Sequence, residues 1–77
     1  MAWSDEPTTG QLSTVYNLIQ WKVSPETAKK ALKWLEDTAT RQDVSFELTR
    51  LRNLQINHKL TKSECFKGEI WEGFNNE

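Results

Sequence analysis

The sequence predicts an all-α fold: a compact four-helix domain made of two αα-hairpins. Three observations point there. Helix-start signals built on Ser or Thr recur four times. Apolar residues follow each signal at helical spacing rather than in alternation. The chain has 77 residues, enough for one domain with a thin core and too few for a cofactor-binding α/β unit.

The elements follow in order. Residues 1–7 form a flexible leader closed by Pro7. Thr8 with Gln11 has capping-box spacing, and Leu12, Val15, Tyr16 and Ile19 share a face, so a helix is predicted over about 9–21. Ser24 caps the second helix, with Pro25 at the first helical position, where its missing N–H costs nothing, and Glu26 at the positive end of the dipole. Its inner stripe is Ala28, Ala31, Leu32 and Leu35, and it ends near Asp37. Thr40 with Asp43 opens the third helix, whose stripe is Val44, Leu48 and Leu51 and which fades near Asn57. Thr61 with Glu64 opens a fourth helix that runs to Gly73 and Phe74 with Phe66 and Ile70 inward. Val23 with Ala28, and Leu60 with Cys65, have the spacing of hydrophobic staples. This echo fits an internal repeat of two hairpins, or simply two hairpins that each need a capped second helix. The single helical domain spans 8–74, and 75–77 is a frayed tail. The predicted core is Leu12, Val15, Ile19, Ala28, Leu32, Leu35, Val44, Leu48, Leu51, Phe66 and Ile70.

Composition narrows function by exclusion. One cysteine rules out an internal disulfide and fits a reduced, cytoplasmic setting. One histidine beside one cysteine gives no metal-ligand spacing, and no cofactor motif is present. The start carries acids and no apolar run, unlike a signal peptide, and no apolar stretch is long enough to span a membrane. Ten basic residues face eleven acidic ones, so no global field draws the chain to nucleic acid.

The candidate chemistry is correspondingly local. Cys65, near a helix start and Lys62, could be a nucleophile, but its staple position predicts a packed side chain. Glu36–Asp37 and Glu69 with Glu72 are paired carboxylates that fit solvated helix faces better than acid–base work, which needs a cleft. The chain therefore does not read as an enzyme. Residues 48–63 contain Arg50, Arg52, Lys59 and Lys62, with His58 among them and no acid. Lys29, Lys30 and Lys33, with Lys22 before them, form a second basic group. If the groups converge, a phosphate backbone could cross them; the alternative is an ordinary solvated face. Trp21, Phe46 and Trp71 fall off the inner stripes, which makes them candidate protein contacts if they stay exposed.

"PTTGQLSTVYNLI" followed by "SPETAKKALKWLE" resembles a helix–link–helix motif of phage, plasmid and bacterial proteins, and "LTKSECFKGEIW" is similar to its second half. Such segments resemble the SAP-like modules of DNA-associated proteins, although the Gly-Lys link usual there is missing. The resemblance implies a phage or mobile-element accessory protein that associates with DNA.

The expectation is a small non-catalytic binding protein that contacts nucleic acid through its basic side. The alternative is an adaptor or inhibitor of a host or phage protein, using exposed aromatics and an acidic end. Either could be a monomer or a homodimer.

Overall fold

The computed structural model describes residues 5–75. Its elements are α1 (Thr9–Ile19), α2 (Pro25–Thr38), α3 (Arg41–Ile56), α4 (Lys62–Cys65), a 3₁₀ turn (Glu69–Trp71) and α5 (Glu72–Asn75). No strand occurs among the described residues, and the class is all-α. The 3₁₀ turn and α5 join into one helical run, which makes the fourth helical segment beside α1, α2 and α3. No helix among the described residues is long and apolar enough to cross a membrane.

The caps form where their residues predict. Thr8 Oγ1 accepts from the Gln11 N–H while Gln11 Oε1 accepts from the Thr8 N–H, a complete box. Thr40 and Asp43 make the same reciprocal pair. Ser24 Oγ accepts from the Thr27 N–H ahead of Pro25. At Thr61 only half the box forms: its hydroxyl accepts from the Glu64 N–H, and the Glu64 carboxylate meets Lys67 Nζ at 3.3 Å instead. Each bond satisfies one N–H that a helix start leaves without an intrahelical partner.

α1 packs against both α2 and α3 and forms the middle of the bundle. Val15, Ile19, Ala28, Ala31, Leu35, Val44 and Leu51 meet there with almost no exposed surface. Leu12, Leu32, Leu48 and Ile70, predicted for the core, are half-buried against it. Both staples are buried, Val23 with Ala28 and Leu60 with Cys65. The described part of the leader is tied down as well: Pro7 is buried, and the Arg41 N–H donates to the Asp5 carbonyl at 2.8 Å. Residues 1–4 and 76–77, the rest of the predicted leader and tail, lie outside the described residues; Asn75 donates from its side-chain amide to the Phe66 carbonyl.

Two boundaries differ from the sequence reading. α1 stops at Ile19, so Trp21 lies in the turn after it. The last helix is not continuous: α4 is a single turn ending at Cys65, and the chain restarts at Glu69. Gly68 makes the break, at φ 118° and ψ 169°. That region of backbone space is open essentially to glycine alone. Gly68→Ala is therefore expected to lower stability by about 1–3 kcal/mol, although a Cβ there would touch nothing within 4 Å. A urea melt checks it; a loss of less than about 0.5 kcal/mol would contradict the backbone assignment.

The break redirects the aromatic residues that follow. Trp71 turns inward and is 1 % exposed, with its ring edge-on to Phe66 and Phe74 at centroid distances of 5.1 and 5.4 Å. Trp34 reaches the same cluster from α2 and donates its indole N–H to the Ile70 carbonyl at 2.8 Å. Trp71 is thus a core residue and not an exposed protein contact.

Candidate nucleic-acid interface

The predicted basic residues do not form one surface. Arg50 is spent inside the molecule. Its Nε donates to both Glu47 oxygens, its Nη2 to Glu47 Oε2 at 2.7 Å and to the Cys65 carbonyl at 2.9 Å, and its Nη1 to the Glu64 carbonyl at 2.6 Å. Every guanidinium nitrogen is engaged, so none is left for a phosphate. Arg52 is exposed, but two helical positions rotate it by about 200° from Arg50. The acid-free look of 48–63 misleads here, because the acid that neutralises Arg50 stands just before it, at Glu47.

Glu47 is the residue the sequence reading passed over. It is buried, between Val44 and Leu51 on the inner face of α3. Its Oε2 also accepts from the Trp71 indole N–H at 3.1 Å. A carboxylate taken out of water needs such partners, and here two donors converge on it. The signal was available: Glu47 occupies a stripe position, with Arg50 one turn on. What it binds, Trp71, depended on the break at Gly68.

On α2, Lys29, Lys30 and Lys33 are exposed, as predicted, but Glu26, Glu36 and Asp37 are exposed on the same helix. Lys30 and Lys33 line a shallow depression with Trp34, Asp37 and Phe74. This is a mixed-charge face with little net field. Lys62 lines a separate open depression with Thr61, Ser63, Phe66 and Asn75.

Convergence occurs elsewhere. The turn after α1 and the link after α3 meet at one end of the bundle, where Trp21, Lys22, Gln55, His58 and Leu60 line a hollow of about 230 Å³. Lys22, read with the second helix, belongs with His58 instead. Trp21 is 77 % exposed. Lys59 is exposed beside His58, and Ile56, also exposed, stands on the last turn of α3. The turn and the link that meet here, 20–24 and 57–61, contain no acid, although Glu26 follows in the first turn of α2.

His58 is held in a particular way. α3 ends with the Lys59 N–H donating to the Leu54 carbonyl and the His58 N–H to the Gln55 carbonyl. This is the helix-ending motif that places its middle residue in the left-handed region, where glycine is usual. His58 sits there at φ 58°. The left-handed conformation costs a side chain about 1–2 kcal/mol, against about 0.4–1 kcal/mol for the looser unfolded state of a glycine variant. His58→Gly is therefore expected to raise stability by about 0.5 kcal/mol, seen as a higher urea midpoint; a clear loss would show that the imidazole supports the fold.

Phe46, one of the aromatics off the inner stripes, is two-thirds exposed. It borders a hollow lined by Thr38, Asp43, Glu47, Glu69 and Ile70. Cys65 is fully buried, and burial pushes its thiol pKa up despite the opposing charges of Arg50 and Lys22. A thiol kept protonated and covered is a packing residue, not a poised nucleophile. Among the described residues no group of His, Cys, Asp and Glu is arranged to hold a metal ion.

No known protein family, curated protein or solved structure matches the chain.

Proposed function

We propose that the chain is a small non-catalytic binding protein that contacts nucleic acid through the end of its bundle where Lys22 and His58 meet. One observation carries the reading. Two segments distant in sequence, both without acids, bring Lys22 and His58 around the exposed Trp21. With a formal net charge of −1, attraction to phosphate depends on such local concentration of charge. Lys22, His58 and Lys59 can serve two or three phosphates, which gives weak binding that fades steeply with salt. The resemblance to helix–link–helix modules of phage and mobile-element proteins supports the same reading, and a single reduced cysteine suits a cytoplasmic protein.

Anisotropy titration of a labelled oligonucleotide at low and moderate salt tests it. Lys22→Ala with Lys59→Ala is expected to weaken binding about tenfold or more and to flatten the salt dependence by about two phosphates' worth. Lys29→Ala with Lys33→Ala should change little, because acids already offset that face. Equal affinity in a folded Lys22/Lys59 variant would end this reading.

Phe46 favours a second reading, an adaptor or inhibitor that docks on another protein. Its hollow places Asp43 and Glu69 beside Ile70, which suits a partner segment pairing an apolar side chain with Lys or Arg. In that case Phe46→Ala and Glu69→Lys would weaken capture of a basic, apolar peptide and leave oligonucleotide binding unchanged.

A further inference from the structure

We infer that the hollow at the end of the bundle takes an unpaired nucleobase, so that the ligand is single-stranded and Trp21 is its stacking platform. This rests on the proposed nucleic-acid reading and narrows it to one class of strand. Three observations lead there.

The first is the state of Trp21. An indole that is 77 % exposed, in a chain whose Trp71 is wholly buried and whose Trp34 hydrogen-bonds its N–H, contributes little to the fold. It lies in the turn after α1, beside Lys22, with most of its surface open to a ligand.

The second is the size and lining of the hollow. About 230 Å³ falls below the roughly 300–1,000 Å³ of an ordinary small-molecule pocket. It suits one flat ring system, not an extended ligand. Leu60 gives it an apolar floor and is itself buried. Gln55 offers an amide that can both donate to and accept from a base edge. Lys22 and His58, both exposed, line it too and are in reach of the phosphates that flank such a base.

The third is the small number of cations. Two or three phosphate contacts alone leave affinity weak and give a single strand no advantage over the more densely charged duplex. A duplex keeps its base faces stacked inside, out of reach of Trp21. Only an unpaired base adds a π-face, and stacking of this kind is tolerant of base identity.

The test uses the full chain with a labelled thymidine oligomer about a dozen nucleotides long and a mixed-sequence duplex, at low salt. The oligomer should bind more tightly than the duplex and quench tryptophan emission. Trp21→Ala should lose about tenfold or more for the oligomer, change duplex binding little, and be largely rescued by Trp21→Tyr. Because Trp21 is exposed, these variants should keep the parent's melting temperature, which verifies folding. Equal binding of both strand forms with no effect of Trp21→Ala, but a loss in Lys22→Ala with Lys59→Ala, would overturn the stacking inference and leave the phosphate reading standing. Absence of binding to either would overturn both and turn attention to the Phe46 hollow.

Discussion

Trp71→Ala should remove about 4 kcal/mol of folding stability. Complete burial of the side chain sets the scale, since truncating a buried tryptophan costs about 3–5 kcal/mol. Loss of the edge-on contacts with Phe66 and Phe74 places the cost in the upper half of that range. The indole N–H to Glu47 disappears too, which strips a buried carboxylate of one donor. A domain of this length has about 4–12 kcal/mol in all, so the variant should melt some 20 °C lower or fail to fold at 37 °C. Trp71→Phe keeps much of the ring and should lose only about 1–2 kcal/mol. Urea melts followed by circular dichroism give both values. A loss below about 1.5 kcal/mol for the alanine variant would mean that the C-terminal segment does not sit on the core as described.

Arg50→Ala should lower stability by about 2–4 kcal/mol. Removing one member of a buried pair leaves the other charge without compensation, at about 3–5 kcal/mol. The Arg50 side chain is 28 % exposed, and solvent screening lowers that figure. The Glu64 and Cys65 carbonyls also lose their donor. Arg50→Lys should rescue little, because an ammonium cannot reach three acceptors with the geometry of a planar fork. Glu47→Ala combined with Arg50→Ala should cost less than the two single variants added together, since the pair acts as a unit. Simple additivity would show that the ion pair contributes nothing of its own. A double change of Arg50 and Arg52, the obvious probe of a basic segment, would confuse unfolding with lost binding; Lys22 and Lys59 are the cleaner choice.

The helix starts were legible because their chemistry is local. Thr8, Ser24, Thr40 and Thr61 each accept from a backbone N–H three residues on, and no distant contact is needed to see it. The inner faces of α1, α2 and α3 were legible for the same reason, since periodicity fixes a face once a helix has started. After Phe66 that logic failed. A helical wheel assumes about 100° per residue without interruption, and the turn through Gly68 resets the phase. On an unbroken wheel Trp71 falls off the inner stripe, which leaves open whether it is a core edge or a contact; the break settles it as core. Glu47 was lost with it, because a lone acid on an apolar stripe makes sense only once its donors are known. The basic residues failed differently: exposure was readable, but which of them converge depends on where the two connecting turns meet. That meeting unites Lys22 with His58, sets Arg50 aside for Glu47, and leaves Lys29, Lys30 and Lys33 among acids.

That Trp71 follows the three long helices in the chain also bears on how the fold is made. Ribosomes deliver α1, α2 and α3 first, and domains fold as cooperative units. Until residue 71 has emerged, those helices lack the indole that packs on Phe66 and Phe74, and Glu47 has only Arg50 as a partner. Closure of the core around Glu47 accordingly waits on a side chain that follows the three long helices in chain order.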